Sequence, residues 1–469
     1  MLQTRDGVLS LLKLFGLFSF LLLFSIESYA AAFAKFETAP IAISSNLHND
    51  NDRLFLKALN GKWNNYAAAG RYKLIFNVKI GKTRYSTISS LGPRILLPVN
   101  PLHVRRTLKS NNEYLGNVTV KFFGSTIAFN IPSKLQNSSL HVGNKKDIIK
   151  FFDLVASSKY KKIITRIVML RRQMKLNDWG TFLLIHKLAN KLFLTNAANV
   201  FTCFILNKLD FNVKVALVEG KVALLIYSNN KLYNRAFYDI KHKRYYLFLQ
   251  QPKKDAKLLT YAFDYPHANH PFNFMLKRLP VLPFKAVKQE TVFNYEGKKY
   301  NFLFTYNKNI LDFLNTYPQV GLSVYLHAPI SKALYRQIST QLAQYIDGKS
   351  ASHAMNFVLL FMQHSLTLHK KSVDASKFMF SEQTLYYGSL NSFNRSILYA
   401  NVMHKLFDIA VRIAIYKHYA AVALDIPMKG YGFFIHGRHF VIADPSFVNG
   451  NLGQCRPLYQ DVAPVKFIY

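Results

Sequence analysis

Residues 386–447 read YYGSLNSFNRSILYANVMHKLFDIAVRIAIYKHYAAVALDIPMKGYGFFIHGRHFVIADPSF, and the change of hydrophobic period inside this stretch constrains the fold more than any other feature. Its first part places Ile397, Leu398, Val402, Leu406 and Phe407 at helical spacing behind Asn391, a residue type that caps helices. Two β-branched runs follow, Val411–Ile415 and residues 420–426, alternating as strands do. Residues 431–435 and 439–443, joined through His436-Gly437, read as a hairpin that runs into Asp444-Pro445. A helix followed by antiparallel strands predicts an α+β module.

This order resembles the bacterial transglutaminase-like proteins, which have a papain-like α+β core. In that family a cysteine nucleophile opens the helix in a motif like Y-x-D-C-E-D-R-x-x-L, a histidine follows on one strand, and an aspartate ends the next. The physical logic is clear: a helix N-terminus stabilises a thiolate, and a carboxylate orients the imidazole. The motif here is L-N-S-F-N-R-S-I-L. Matching from Arg395 backwards puts Ser392 at the cysteine position, with Asn391, Phe393 and Asn394 in place of its acidic neighbours. Tyr419 falls at the histidine position, with His418 one residue away, and Asp444 matches the aspartate in V-I-A-D-P-S-F-V-N-G. The phrases L-N-D-W-G, N-K-N-I-L-D-F and Y-P-Q-V-G-L-S-V-Y extend the resemblance across nearly all of residues 118–469.

Residues 197–249 repeat the theme. NVFTCFILNKL reads as a helix, and FNVKVAL, KVALLIYS, NRAFYDI and KRYYLFL as strands in the same order as those after Ser392. The two copies align with a net gap of two residues, which suggests an internal duplication. In the first copy the nucleophile position falls near Thr195 or Asn196 and the aspartate position on Leu249, with no histidine on the strand between. Triad chemistry is therefore not expected there.

The chain has 469 residues, half of them hydrophobic, enough for two or three cores. Arg5 and Lys13 precede an apolar run at residues 14–26 and then Ser28-Tyr29-Ala30-Ala31, the pattern of a secretory signal peptide. An uncleaved anchor is the alternative, although the run of about 13 residues is short of the roughly 20 a spanning helix needs. Export to a bacterial periplasm or cell surface follows. Residues 31–140 are expected to form a small β-rich domain, with strands at 72–80 and a hairpin at 118–131. Residues 141–280 then make the first module and residues 281–469 the second. Leu322–Leu326 reads as a strand and residues 331–346 and 351–369 as helices.

Lysine and arginine total 61 against 24 aspartates and glutamates, a net charge of +37, spread along the chain in pairs such as Lys161-Lys162, Arg171-Arg172 and Lys298-Lys299. Such a surface attracts anionic lipid, lipopolysaccharide or acidic wall polymer by a salt-sensitive term. No nucleic-acid recognition motif is visible, and nucleic acid is not an expected partner. Cys203 and Cys455 lack metal-ligand spacing, and no metal or cofactor is expected. Two separately buried thiols are expected rather than a disulfide. The expectation is thus a peripheral, exported pseudoenzyme that binds or scaffolds peptide, glycopeptide or polyanionic envelope components. The opposing expectation is a serine-dependent hydrolase or acyltransferase with Ser392 as nucleophile, His418 as base and Asp444 orienting it; because no helix N-terminus ionises a hydroxyl, it demands a well-aligned base.

Overall fold

A computed structural model describes residues 49–74, 116–138, 140–250, 257–366 and 377–468. The residues read as a signal peptide and most of the strand expected at residues 72–80 lie outside them. The chain divides into Met1–Asp52 and one compact unit, Arg53–Tyr469.

In chain order the elements are α1 Asn49–Leu59, β1 Asn64–Tyr66, β2 Gly70–Arg71, β3 Val118–Phe122 and β4 Ser125–Phe129. The helices α2 Ser133–Gln136, α3 Lys145–Ala156, α4 Lys161–Gln173, α5 Asp178–Leu192 and α6 Thr195–Lys208 follow. Strands β5 Val213–Val218, β6 Lys221–Tyr227, β7 Ala236–Ile240, β8 Lys243–Phe248 and β9 Leu258–Thr260 complete the first module. A long hairpin, β10 Ala286–Tyr295 and β11 Lys298–Asn307, leads to α7 Lys308–Asn315, α8 Leu322–Leu326, α9 Lys332–Ile346, α10 Ala351–Ser365, α11 Ser381–Tyr387 and α12 Ser392–Phe407. The second module ends with β12 Val411–Ile415, β13 Ala420–Asp425, β14 Gly432–Ile435, β15 Arg438–Ala443 and β16 Lys466–Ile468. Helices beside wholly antiparallel sheets make this an α+β protein.

The two sheets share one topology. The first runs β1-β9-β5-β6-β8-β7-β2 and the second β16-β12-β13-β15-β14, so the five central strands of the first match the five of the second, position for position. Register agrees as well: Val213 faces Ile226 as Val411 faces Leu424, and Ala216 faces Ala223 as Ala414 faces Ala421. α6 packs across β5 and β6, and α12 across β12 and β13. The alanine pairs have a consequence for shape. With small side chains on the inner face, the second sheet curls until Phe433 on one edge strand meets Phe467 on the other, ring centres 5.5 Å apart. On the helix side lie fully buried Ile397, Leu398, Val402 and Met403, each contributing about 2 kcal/mol by leaving water.

Two expectations are corrected. Leu322–Leu326 is a short helix, not a strand: Gly321 starts it, and its Val324, Tyr325 and Leu326 are buried in one turn. Five residues of mixed β-branched and aromatic character do not carry enough periods to separate the two states. The N-terminal region also does not stand apart as a β-domain within the described residues. β1 pairs with β9 and β2 with β7, so both are edge strands of the first module's sheet; only the β3–β4 hairpin forms a sheet of its own.

Candidate functional site

Asn391 caps α12 in extended conformation, its Oδ1 accepting the Phe393 amide at 2.9 Å. Ser392 is therefore the first helical residue, where a nucleophile would stand. Its Oγ instead accepts the main-chain amide of Ala420, the first residue of β13, at 3.1 Å. One turn later Ser396 Oγ donates to the Ala420 carbonyl at 3.0 Å. Both polar groups of one strand residue are thus held by the helix.

The first module repeats this clamp with different residues. Val222 sits at the register position of Ala420; Asn196 Oδ1 accepts its amide at 3.0 Å, and Asn199 Nδ2 donates to its carbonyl at 2.7 Å. Of the two candidates for the first copy's nucleophile position, Asn196 is the one that makes Ser392's contact. The same register puts exposed Lys221 opposite Tyr419, and Leu249 opposite Asp444.

Tyr419 and Asp444 meet. The phenol oxygen lies 2.7 and 2.9 Å from the two carboxylate oxygens, and the Ser446 amide donates to Oδ1 at 2.9 Å. Tyr419 is 6% exposed and Asp444 1%. Burial raises the Asp444 pKa above the ordinary carboxylate range, opposed by the bonds from Tyr419 and Ser446 and by the charge of Arg456. Burial, then the neighbouring carboxylate, push the Tyr419 phenol well up. Tyr419 stays a proton donor throughout the physiological range.

His418 is elsewhere. It lies with Lys417 in the exposed two-residue turn between β12 and β13, closed by the Tyr416 amide on the Tyr419 carbonyl at 2.9 Å. Neighbouring residues on an extended chain project to opposite sides, and the tyrosine takes the inward place. Ser392, Tyr419 and Asp444 are on facing elements of one site, whereas the Ser392-His418-Asp444 arrangement is not assembled. Among the described residues no hydrogen bond joins Ser392 to an imidazole.

Arg395, one turn into α12, ties the surroundings together. Its guanidinium donates to the carbonyls of Ser389 at 2.6 Å, Leu366 at 2.9 Å, and Gln363 and Pro445 at 3.2 Å each. The Leu366 and Gln363 groups belong to the C-terminal end of α10, where unpaired carbonyls favour a cation. Gln363 Nε2 in turn donates to the carbonyls of Asp444 and Gly450. Asn394, in place of an acid, holds the Met379 amide and the Lys377 carbonyl, each at 2.9 Å.

The C-terminal segment closes the site from the other side, and sequence reasoning missed it. Tyr459, on a 3-10 turn at Pro457–Tyr459, stacks on Tyr419 with ring centres 4.6 Å apart and planes 10° from parallel. The Arg456 guanidinium lies 4.8 Å from the Tyr419 ring centre and donates to the Ser446 carbonyl at 2.7 Å. Gly453 anchors the strap: its backbone bonds Ile442 and Tyr431, and it approaches Gly430 so closely that a Cβ there would sit 2.6 Å from the Gly453 Cα. Cys455 is buried beneath. Burial, then the Asp444 charge, push its thiol up to about 11, so it offers no thiolate. Cys203 is buried too, and both cysteines are free.

The first module carries a polar cluster that the sequence scarcely announces. Lys214, enclosed on the inner face of β5, reaches Asp264 Oδ1 at 2.5 Å, while Lys243 reaches Oδ2 at 2.7 Å and Tyr245 donates to the same carboxylate at 3.2 Å. Burial pulls the Lys214 pKa down to about 8. For half-exposed Asp264, burial is outweighed by the two ammonium groups, which hold it at about 2. A lysine inside FNVKVAL was the available signal; its partner is fifty residues on.

Among the described residues no group of three or more His, Cys, Asp or Glu is placed to hold a metal ion, and no helix is long and apolar enough to cross a membrane. Comparison with protein-family models, curated proteins and solved structures finds no match.

Proposed function

We propose that this chain is a transglutaminase-like pseudoenzyme of the bacterial cell envelope: two papain-like modules, related by duplication, that lack turnover and bind polyanionic envelope components through a cationic surface. The observation that carries the loss of activity is the Tyr419–Asp444 pair. A phenol occupies the place of the general base, spends its proton on the orienting carboxylate, and is covered by Arg456 and Tyr459. Ser392, 7% exposed, is engaged as an acceptor for a backbone amide, and among the described residues no base is hydrogen-bonded to it.

The binding role rests on charge. α4 exposes Lys161, Lys162 and Arg172 and contains no acidic residue, and the whole chain carries +37. The reading is tested in two measurements on the purified protein. Amidase, protease and transamidase assays should show no turnover, and a fluorophosphonate should not label Ser392. Retention on vesicles containing phosphatidylglycerol should fall as salt rises. A His418-dependent label on Ser392 would overturn the first half, and absence of binding at low salt the second.

A further inference from the structure

Val292, Leu303 and Val448 of the second module are partly in water, but its two most exposed aliphatic side chains both lie on its C-terminal strap. Leu458 is 73% and Val465 72% exposed, with exposed Val462 between them. The segment that carries them runs beside the Lys417-His418 turn. The Val465 amide donates to the Ile415 carbonyl at 2.7 Å, Tyr459 beside Leu458 stacks on Tyr419 and packs at a tilt against Tyr416, and the Val462 amide bonds the Tyr459 carbonyl.

The other module shows that this position is not bound to be wet. Val465 precedes Lys466, which faces Ile415 as Leu259 faces Leu217, so its counterpart is Leu258. Leu258 is fully buried, because β1 lies along that edge with Tyr66 paired to it. Among the described residues no strand covers β16. An added strand is a poor match for what is exposed here, since β16 has three residues and Leu458 and Val462 lie off its edge. The flanks are basic: Lys417 and Lys466 are exposed and Arg456 is partly so, while among the described residues of the strap, 456–468, the one carboxylate side chain is Asp461. Aliphatic residues exposed on a loop and flanked by two exposed lysines fit a lipid interface, where the ammonium groups reach phosphates while the apolar tips enter the acyl boundary.

We propose that the strap is the face on which the protein settles on an anionic phospholipid surface, with Leu458 and Val465 inserting and Lys417 and Lys466 at headgroup level. This rests on the polyanion-binding reading above and assigns it a face and a salt-resistant component.

The test uses the full chain with Cys455→Ala, carrying an environment-sensitive fluorophore on Leu458→Cys, Val465→Cys or, as control, Leu194→Cys, an exposed position in the first module. The probe reads the strap itself, whatever the N-terminal apolar run contributes. On vesicles of phosphatidylcholine with phosphatidylglycerol, emission at positions 458 and 465 should rise and shift to the blue, with no change at 194 and none on phosphatidylcholine alone. The Leu458→Asp, Val465→Asp double variant should bind roughly ten-fold or more weakly at high salt. Binding with silent probes at 458 and 465, an equal response at 194, or unchanged binding by the double variant overturns the assigned face and leaves the polyanion reading standing. No binding at low salt overturns both. A response to polyglutamate rather than vesicles replaces lipid by an acidic polypeptide and overturns the proposal.

Discussion

The phenol of Tyr419 sits within 2.9 Å of both oxygens of the Asp444 carboxylate, so this tyrosine is the principal side-chain partner of a buried acid. Removing the hydroxyl leaves that acid underserved. Tyr419→Phe should destabilise the protein by about 1–3 kcal/mol, read by urea unfolding, since the aromatic packing under Tyr459 survives and only the hydrogen bond goes. A loss no larger than that of an exposed tyrosine would show that the pair contributes nothing to the fold.

Stability should depend on pH in a definite direction. Burial raises the pKa of Asp444 and of Glu382, whose Oε1 accepts the Ser331 amide at 2.7 Å. Above the ordinary values of 3.8 and 4.5 the unfolded chain releases these protons before the folded one does. The native state then binds more protons, so stability falls as pH rises through the folded pKa values. Asp444→Asn and Glu382→Gln should each flatten that fall; a slope unchanged in both would refute the assignment.

Arg395 is predicted to be the costliest single position near the site. Arg395→Met strands carbonyls on α10, before α12 and at Pro445, and should cost about 3–5 kcal/mol. Lysine cannot span four acceptors in different directions and should rescue little. Limited proteolysis within residues 444–450 should accelerate alongside.

Ser392→Ala should cost about 1–2 kcal/mol, because it leaves one strand amide without its acceptor, and Asn196→Ala should cost more, because it also takes a donor from the Val142 and Gly220 carbonyls. Hydrogen exchange should speed up at Ala420 in one variant and at Val222 in the other, and the double variant should be additive across separate modules. Ser392→Cys should restore no turnover, since Tyr419 cannot serve as an imidazole.

Much of this architecture is legible in the residues. The helix cap at Asn391, the turn at His436-Gly437 and the repeated helix-and-strand order all rest on local signals spanning a few residues, and the shared strand order of the two sheets extends the repeat into three dimensions. The site was legible only as a set of positions. Choosing between His418 and Tyr419 needed the turn register, because a shift of one residue reverses the face. The Arg456 and Tyr459 cover and the Lys214–Asp264 pair join residues 37 to 50 positions apart, with no periodicity to announce them. The pairing of β1 with β9 and of β2 with β7 was hidden for the same reason: a short strand does not name its partner.

The clamp at the head of each helix also bears on how such a module can drift. In a working enzyme the first helical residue must be free to react; here serine in one module and asparagine in the other are tied to the neighbouring strand. A hydrophobic replacement would leave that strand's amide bare, so selection for folding alone keeps a polar residue in place. A serine at this position is consequently accounted for by the joint it holds shut, and its presence alone is no sign of a nucleophile.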